Sequence, residues 1–225
     1  QFSYRTRIGH AKKALSALMF SMGRGNRLLP HVDRVDMVEI GSLVKHAQET
    51  VDLIEEYISS LALVSSEKPT HRFPHGVITK ELGDECDQLA KLLSPLHAAA
   101  DGLHKKLMVV DESLSPAERT KMATAATDLG PHLGRVLAQK NVFESWATND
   151  NTPLAKWIDF VEAGEGRFDA VLCVSPMTGA QGLIKGLWRT VSAAVCTSAT
   201  LSACGTFDFF ERLSGLNRYS KRITG

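Results

Sequence analysis

Three hydroxyl side chains fall within four residues at Thr197-Ser198-Ala199-Thr200, directly after the apolar run Ala193-Ala194-Val195-Cys196. Short hydroxyls donate and accept hydrogen bonds, so this cluster suits groups that exchange partners during a cycle. The plainer reading is a strand end whose hydroxyls cap a following helix. Two pairs join an indole to a cation, Lys156-Trp157 and Trp188-Arg189. Such pairs can stack a base and neutralise a phosphate, and the same tryptophans can equally be core. His71 and His75 have the spacing of two metal ligands on a helix, but the stretch around them contains Pro69 and Pro74. They read as solvated loop histidines, and no metal site is expected. Asp84-Glu85 and Glu55-Glu56 read as exposed helix faces. The chain contains no G-x-x-x-x-G-K-[ST] phosphate loop, no G-x-S-x-G elbow and no H-E-x-x-H.

The elements that would position these residues follow from periodicity. Met37, Ile40, Val44, Ala47, Val51, Ile54, Ile58 and Leu61 step by three and four, as do Leu82, Cys86, Leu89, Leu93, Leu96, Ala100, Leu103, Leu107 and Val110. Both are heptad seams of helices. Ser94-Pro95 should kink or break the second. Ser115-Pro116-Ala117-Glu118 is a capping box with proline at the first helical position. The helix it opens carries Met122, Ala126, Leu129, Leu133, Val136, Phe143 and Ala147, with a bend expected at Gly130-Pro131. An earlier helix carries Ile8, Ala11, Leu15, Leu18 and Met22 and ends near Gly23. Each seam needs partners, and an antiparallel four-helix bundle with loops at 23–35, 65–80 and 111–115 satisfies all four.

The pattern changes after the polar turn Asn149 to Pro153. Lys156–Val161 and Phe168–Val174 read as a hairpin, Gln181–Val191 as a short helix, Ala193–Thr197 as a buried strand and Thr206–Ser214 as a last helix stopped by Gly215. The expected class is mainly α with a smaller α/β part. Residues 1–150 form a helical domain, and 151–225 form a segment of an incomplete α/β domain.

The chain has 225 residues, 44% of them hydrophobic and 23% charged, which fits one large or two small globular domains. No apolar run reaches the length that spans a bilayer, so no membrane partner is expected. Cys86, Cys173, Cys196 and Cys204 form no C-x-x-C pair, sit mostly in apolar contexts and read as reduced core thiols of a cytoplasmic protein. The chain opens on Gln1, so a piece excised from a longer protein is expected. The formal net charge of +1 hides a separation. Residues 1–30 hold Arg5, Arg7, Lys12, Lys13, Arg24 and Arg27 and no acid, 151–225 hold eight basic against six acidic residues, and 31–150 are left at −7. Two basic ends flank an acidic middle, either as uneven solvated surface or as a track for a polyanion.

A Ser-Ala-Thr after a strand resembles motif III of superfamily 2 helicases. Lys156-Trp157, the hairpin, Gly186-Leu187-Trp188-Arg189, the strand, Thr197-Ser198-Ala199-Thr200-Leu201 and Phe207 through Leu216 follow in the order found in the DinG branch of XPD-like DNA helicases. The likeness covers 153–217, and the helices before it match that family's arch domain in order and size. It implies an ATP-dependent 5′→3′ DNA helicase of DNA repair or replication, acting on single-stranded or forked DNA. The chain would hold the arch and the end of the first motor domain. ATP, Mg²⁺ and a 4Fe–4S cluster would belong to the parent, with the cluster ligands outside this chain and no cofactor within it. Cysteine spacings of 87, 23 and 8 also do not match a cluster motif. Thr197, Ser198, Ala199 and Thr200 would couple ATP hydrolysis to DNA movement without doing chemistry. Lys156, Trp157, Trp188, Arg189, Arg5, Arg7, Lys12 and Lys13 would touch DNA. Two competing classes are a non-enzymatic helical interaction module, which leaves the second half unexplained, and a hydrolase using Ser175 or Ser198, for which no placed base is found. Protein partners are unknown.

Overall fold

The computed structural model describes residues 4–64, 70–109, 113–148, 154–162, 168–197, 201–202 and 205–218. The chain begins with strand β1 (Tyr4–Arg7), which runs directly into helix α1 (Ile8–Asn26). Helix α2 (Met37–Val64), strand β2 (Thr70–Phe73), helix α3 (Lys80–Met108) and helix α4 (Pro116–Ala147) follow. Strands β3 (Leu154–Glu162) and β4 (Phe168–Pro176) come next. Helix α5 (Ala180–Leu183) continues as a π turn over Ile184–Trp188, and helix α6 (Asp208–Ser214) is last. The fold is mainly helical with one small antiparallel sheet.

Each long helix packs on the next in sequence, and α4 returns to α1. The seams read from periodicity are the shared core. Ile40 to Ile58 of α2, Leu82 to Leu107 of α3, and Ala126 to Phe143 of α4 bury their seam residues together with Ile8, Leu15, Leu18 and Met22 of α1. Val110 lies outside the described residues. The helix starts are chemically defined. Asp36 Oδ1 accepts from the amides of Val38 and Glu39, and Thr79 Oγ1 accepts from that of Leu82. Ser115 and Glu118 form the expected capping box, and bonds from the Ser115 hydroxyl and amide hold the Glu118 carboxyl below its ordinary pKa. The α1–α2 connection is held by buried Asn26, whose amide donates to Val35 O at 2.9 Å and whose Oδ1 accepts from Val35 N at 2.8 Å.

Neither proline interrupts its helix: α3 runs through Pro95 and α4 through Pro131. Both rings are exposed, as are Lys91 and Thr127 four residues earlier. The carbonyls that lose a partner therefore lie on the solvent side, where water can bond them.

The sheet has the order β1-β4-β3-β2, with every neighbouring pair antiparallel. The hairpin of β3 and β4 is as expected. The sheet's two edge strands lie outside the hairpin, Tyr4–Arg7 ahead of the first expected helix at one edge and Thr70–Phe73 from a stretch read as loop at the other. The expected buried strand over 193–197 is not formed. Those residues are exposed and unassigned to any strand, with Val195 at 91% exposure. A strand needs neighbours for its amides and carbonyls, and none of the described strands pairs with this stretch. The strand–helix alternation thus does not produce a parallel layer among the described residues.

One sharp constraint holds β2 against β3. Gly76 has φ +70°, and a Cβ there would lie 1.9 Å from the Leu154 carbonyl oxygen. Gly76→Ala should therefore cost at least about 2 kcal/mol, the sum of left-handed strain and displacement of β3. Equilibrium denaturation measures this loss.

Candidate nucleic-acid interface

Side chains alternate across a strand, so register decides which residues share a face. Ile158, Phe160, Ala170, Leu172, Val174 and Phe73 belong to the helix-packed core, which makes theirs the inner face. Trp157 and Asp159 of β3, Val171 and Cys173 of β4, Arg5 and Arg7 of β1, and Thr70 and Arg72 of β2 take the other positions. Val171 and Cys173 are buried, yet neither belongs to the helix-packed core.

Two rungs cross this outer face. Arg5 pairs with Cys173, Cys173 with Trp157, and Trp157 with Arg72. The adjacent rung is Arg7, Val171, Asp159 and Thr70. Asp159 organises the centre. Its Oδ2 accepts from Trp157 Nε1 at 3.2 Å and from Cys173 Sγ at 3.6 Å, and its Oδ1 accepts from Thr70 Oγ1 at 2.9 Å. These bonds fix the tilt of the half-buried Trp157 ring. Arg7 Nε lies 3.6 Å from Asp169 Oδ2, and Asp169 Oδ1 accepts from Gly9 N at 3.0 Å. Asp169 thus supplies, from β4, the acceptor at the start of α1 that Arg7 does not.

The sequence-predicted DNA contacts separate on this frame. Arg5 is exposed and Arg7 half-buried on the same face as Trp157. Lys12 is engaged by Asp52 and by Glu55 at 3.5 Å, so its charge is neutralised on α2. Lys13 is exposed on α1. Lys156 faces inward and is only 2% exposed, so it is not available to a phosphate from solvent. Its ammonium donates to Trp146 O at 2.9 Å and to Thr148 O, at the C-terminal end of α4. A cation there satisfies carbonyls without helical partners and complements the helix dipole. Trp188 Nε1 donates to Ser214 O at 2.6 Å, which ties the α5 turn to α6, and Arg189 beside it is exposed. Thr197 is exposed, and Ser198, Ala199 and Thr200 lie outside the described residues. Arg72 went unnoticed in the sequence because it sits in a stretch read as loop.

His71 lies on β2 and His75 in a 3-10 turn at φ 55°, so the helical ligand spacing is not realised. Among the described residues no group of three or more His, Cys, Asp or Glu is placed to hold a metal. Burial pushes the Cys86 thiol up to about 12, with Lys156 acting against it. Burial, with Asp159 beside it, pushes Cys173 up to about 11. Cys196 is exposed rather than in the core as expected, because the stretch 193–197 has no strand neighbours among the described residues, and Cys204 lies outside the described residues. The described cysteines are dispersed and do not fit a 4Fe–4S cluster. No helix among the described residues is long and apolar enough to cross a membrane.

The chain is 28% identical over 176 residues to the ATP-dependent DNA helicase DinG of Salmonella typhimurium, covering 76% of this chain and 24% of that protein. It is 27% identical over 176 residues to the protein of the same name from Escherichia coli, with the same shares covered. With that of Photobacterium profundum it is 25% identical over 186 residues, covering 78% and 25%. The chain spans about a quarter of the length of the curated relatives it matches. No family model matches it.

Two outcomes follow from the buried groups. Lys156→Met keeps the stem and removes both charge-assisted bonds, so it should cost about 3 kcal/mol in equilibrium denaturation. Thiol titration of the native protein should modify Cys196 quickly and leave Cys86 and Cys173 protected until denaturant is added.

Proposed function

We propose that the chain is part of an ATP-dependent DNA helicase of the DinG type, moving 5′→3′ on single-stranded or forked DNA in repair or replication in the cytoplasm. The observation that carries this reading is the likeness to DinG helicases along 176 residues, three quarters of the chain. A free-standing helical interaction module would not account for a likeness of that extent.

Residues 1–150 then correspond to the arch, and 151–225 to the end of the first motor domain. β1 and β2, both within 1–150, edge the hairpin of 151–225, which would link the arch to the motor through one sheet. The exposed apolar stretch 191–197 supports the fragment reading, because a motor-domain sheet would supply the strand neighbours that it lacks among the described residues. ATP and Mg²⁺ would be held by a phosphate loop that this sequence does not contain. The 4Fe–4S cluster would be held by cysteines other than these, since the described ones do not fit it. On its own the chain is then inactive as an ATPase.

Thr197, Ser198, Ala199 and Thr200 would form the coupling motif. Their small size allows close approach, and their hydroxyls can exchange partners between the nucleotide side and the DNA side. Arg5, Arg7, Lys13, Trp157 and Arg189 would guide the strand, with Arg7 and Trp157 held in place by Asp169 and Asp159. Ser198→Ala with Thr200→Ala in the longer protein should lower strand unwinding by at least about tenfold, with a smaller loss of DNA-stimulated ATP hydrolysis, as expected when groups that position a conformational step are removed. Unwinding and hydrolysis falling in equal proportion, or unwinding unchanged, would remove the coupling role.

A further inference from the structure

The outer face of the sheet carries an arrangement that no sequence segment contains by itself. Arg5, Cys173, Trp157 and Arg72 form one continuous rung across all four strands. Arg5 and Arg72 are exposed, and among the described residues neither has a carboxylate partner. Between them Trp157 is half-buried, with its indole nitrogen committed to Asp159. Cys173 is short and buried, so Arg5 and Trp157 are the surface groups of that half of the rung.

The charges on this face are graded along the strands. Asp159 and Asp169 lie towards the turn that joins β3 to β4, and both are already engaged. Arg5 and Arg72, without a carboxylate partner among the described residues, lie towards the other end. A polyanion is therefore attracted to the Arg5–Trp157–Arg72 rung and repelled from the acidic end, which fixes a track running across the strands. With strands about 4.8 Å apart, the two arginine-bearing strands are separated by about 14 Å, room for up to about four stacked nucleotide steps of about 3.4 Å. An aromatic ring between two cations is the composition of a sequence-tolerant single-strand site, in which the ring stacks a base and the cations hold phosphates.

We propose that this rung is a single-stranded DNA subsite, in which one base stacks on Trp157 and Arg5 and Arg72 hold phosphates on either side of it. The choice of DNA rests on the helicase reading above. The site itself needs no motor, so it can be tested without unwinding or ATP hydrolysis.

The experiment is ¹⁹F NMR of the full chain labelled with 5-fluorotryptophan, titrated with oligo(dT), alongside fluorescence anisotropy of a labelled oligo(dT). Trp157→Phe assigns the Trp157 resonance. That resonance should shift saturably, while the resonance of fully buried Trp146 stays in place. Trp157→Ala should weaken binding about tenfold, Trp157→Phe much less, since one stacked base contributes on that scale. Arg5→Ala with Arg72→Ala should lower the slope of log affinity against log salt by about 1.4, or about 0.7 for each phosphate that is no longer neutralised. The double arginine variant lies at the surface and Trp157→Phe keeps a ring, and circular dichroism checks the folding of all three variants, the half-buried Trp157→Ala above all. Oligo(dT) binding with an unmoved Trp157 resonance, or an unchanged salt slope in the double variant, overturns the subsite and leaves the helicase reading standing. No oligo(dT) binding at low salt also overturns the subsite, and the helicase reading is then judged by unwinding in the longer protein.

Discussion

The rest of the molecule depends on one act of strand pairing. The hairpin of β3 and β4 is local, but it is completed by β1 from the start of the chain and β2 from between two long helices. A two-stranded ribbon alone is marginal in water, and its inner face would expose Ile158, Leu172 and Val174. Adding an edge strand on each side widens the apolar face enough to seat on the helices. It also sets the register, and with period two the register decides every inner and outer residue at once. A slip by one residue would turn Trp157 into the core and Lys156 out to solvent.

Lys156 and Asp169 show how sheet and helices are joined beyond apolar contact. Lys156 reaches from β3 to the carbonyls at the end of α4, and Asp169 reaches from β4 to an amide at the start of α1. Each places a charge at the helix end whose dipole favours it. Both helix ends leave backbone groups without helical partners, and in each case a strand supplies the missing partner. Burial of an ammonium is tolerable in that setting because carbonyl oxygens replace its water.

The helices were legible in the sequence because their signals are local and repeated. Seams such as Ile40-Val44-Ala47-Val51 state the buried face directly, and Ser115 with Glu118 states where a helix starts. The hairpin was legible for the same reason. β1 and β2 were not, since four residues such as Thr-His-Arg-Phe carry no periodicity long enough to read and become strands only beside the hairpin. The stretch 193–197 failed in the opposite direction. Its composition is that of a buried strand, but no strand among the described residues pairs with it. Pro95 and Pro131 lie inside continuous helices rather than breaking them, and which side of the helix the freed carbonyl faces is a tertiary fact.

Charge followed the same rule. Read along the chain, the basic residues of 1–30 looked like the natural partners of a polyanion, yet Lys12 and Arg24 are each taken up by acids of α2 or α4. Arg72 belongs to the segment with a net charge of −7 and attracts no attention there. Folding puts it on the same rung as Arg5, with an indole between them. Net charge over a window averages groups that never share a surface, whereas a ligand meets only those that do. The informative unit for this chain is therefore the rung of the sheet, since only that level distinguishes a cation bound to its own carboxylate from one left facing solvent.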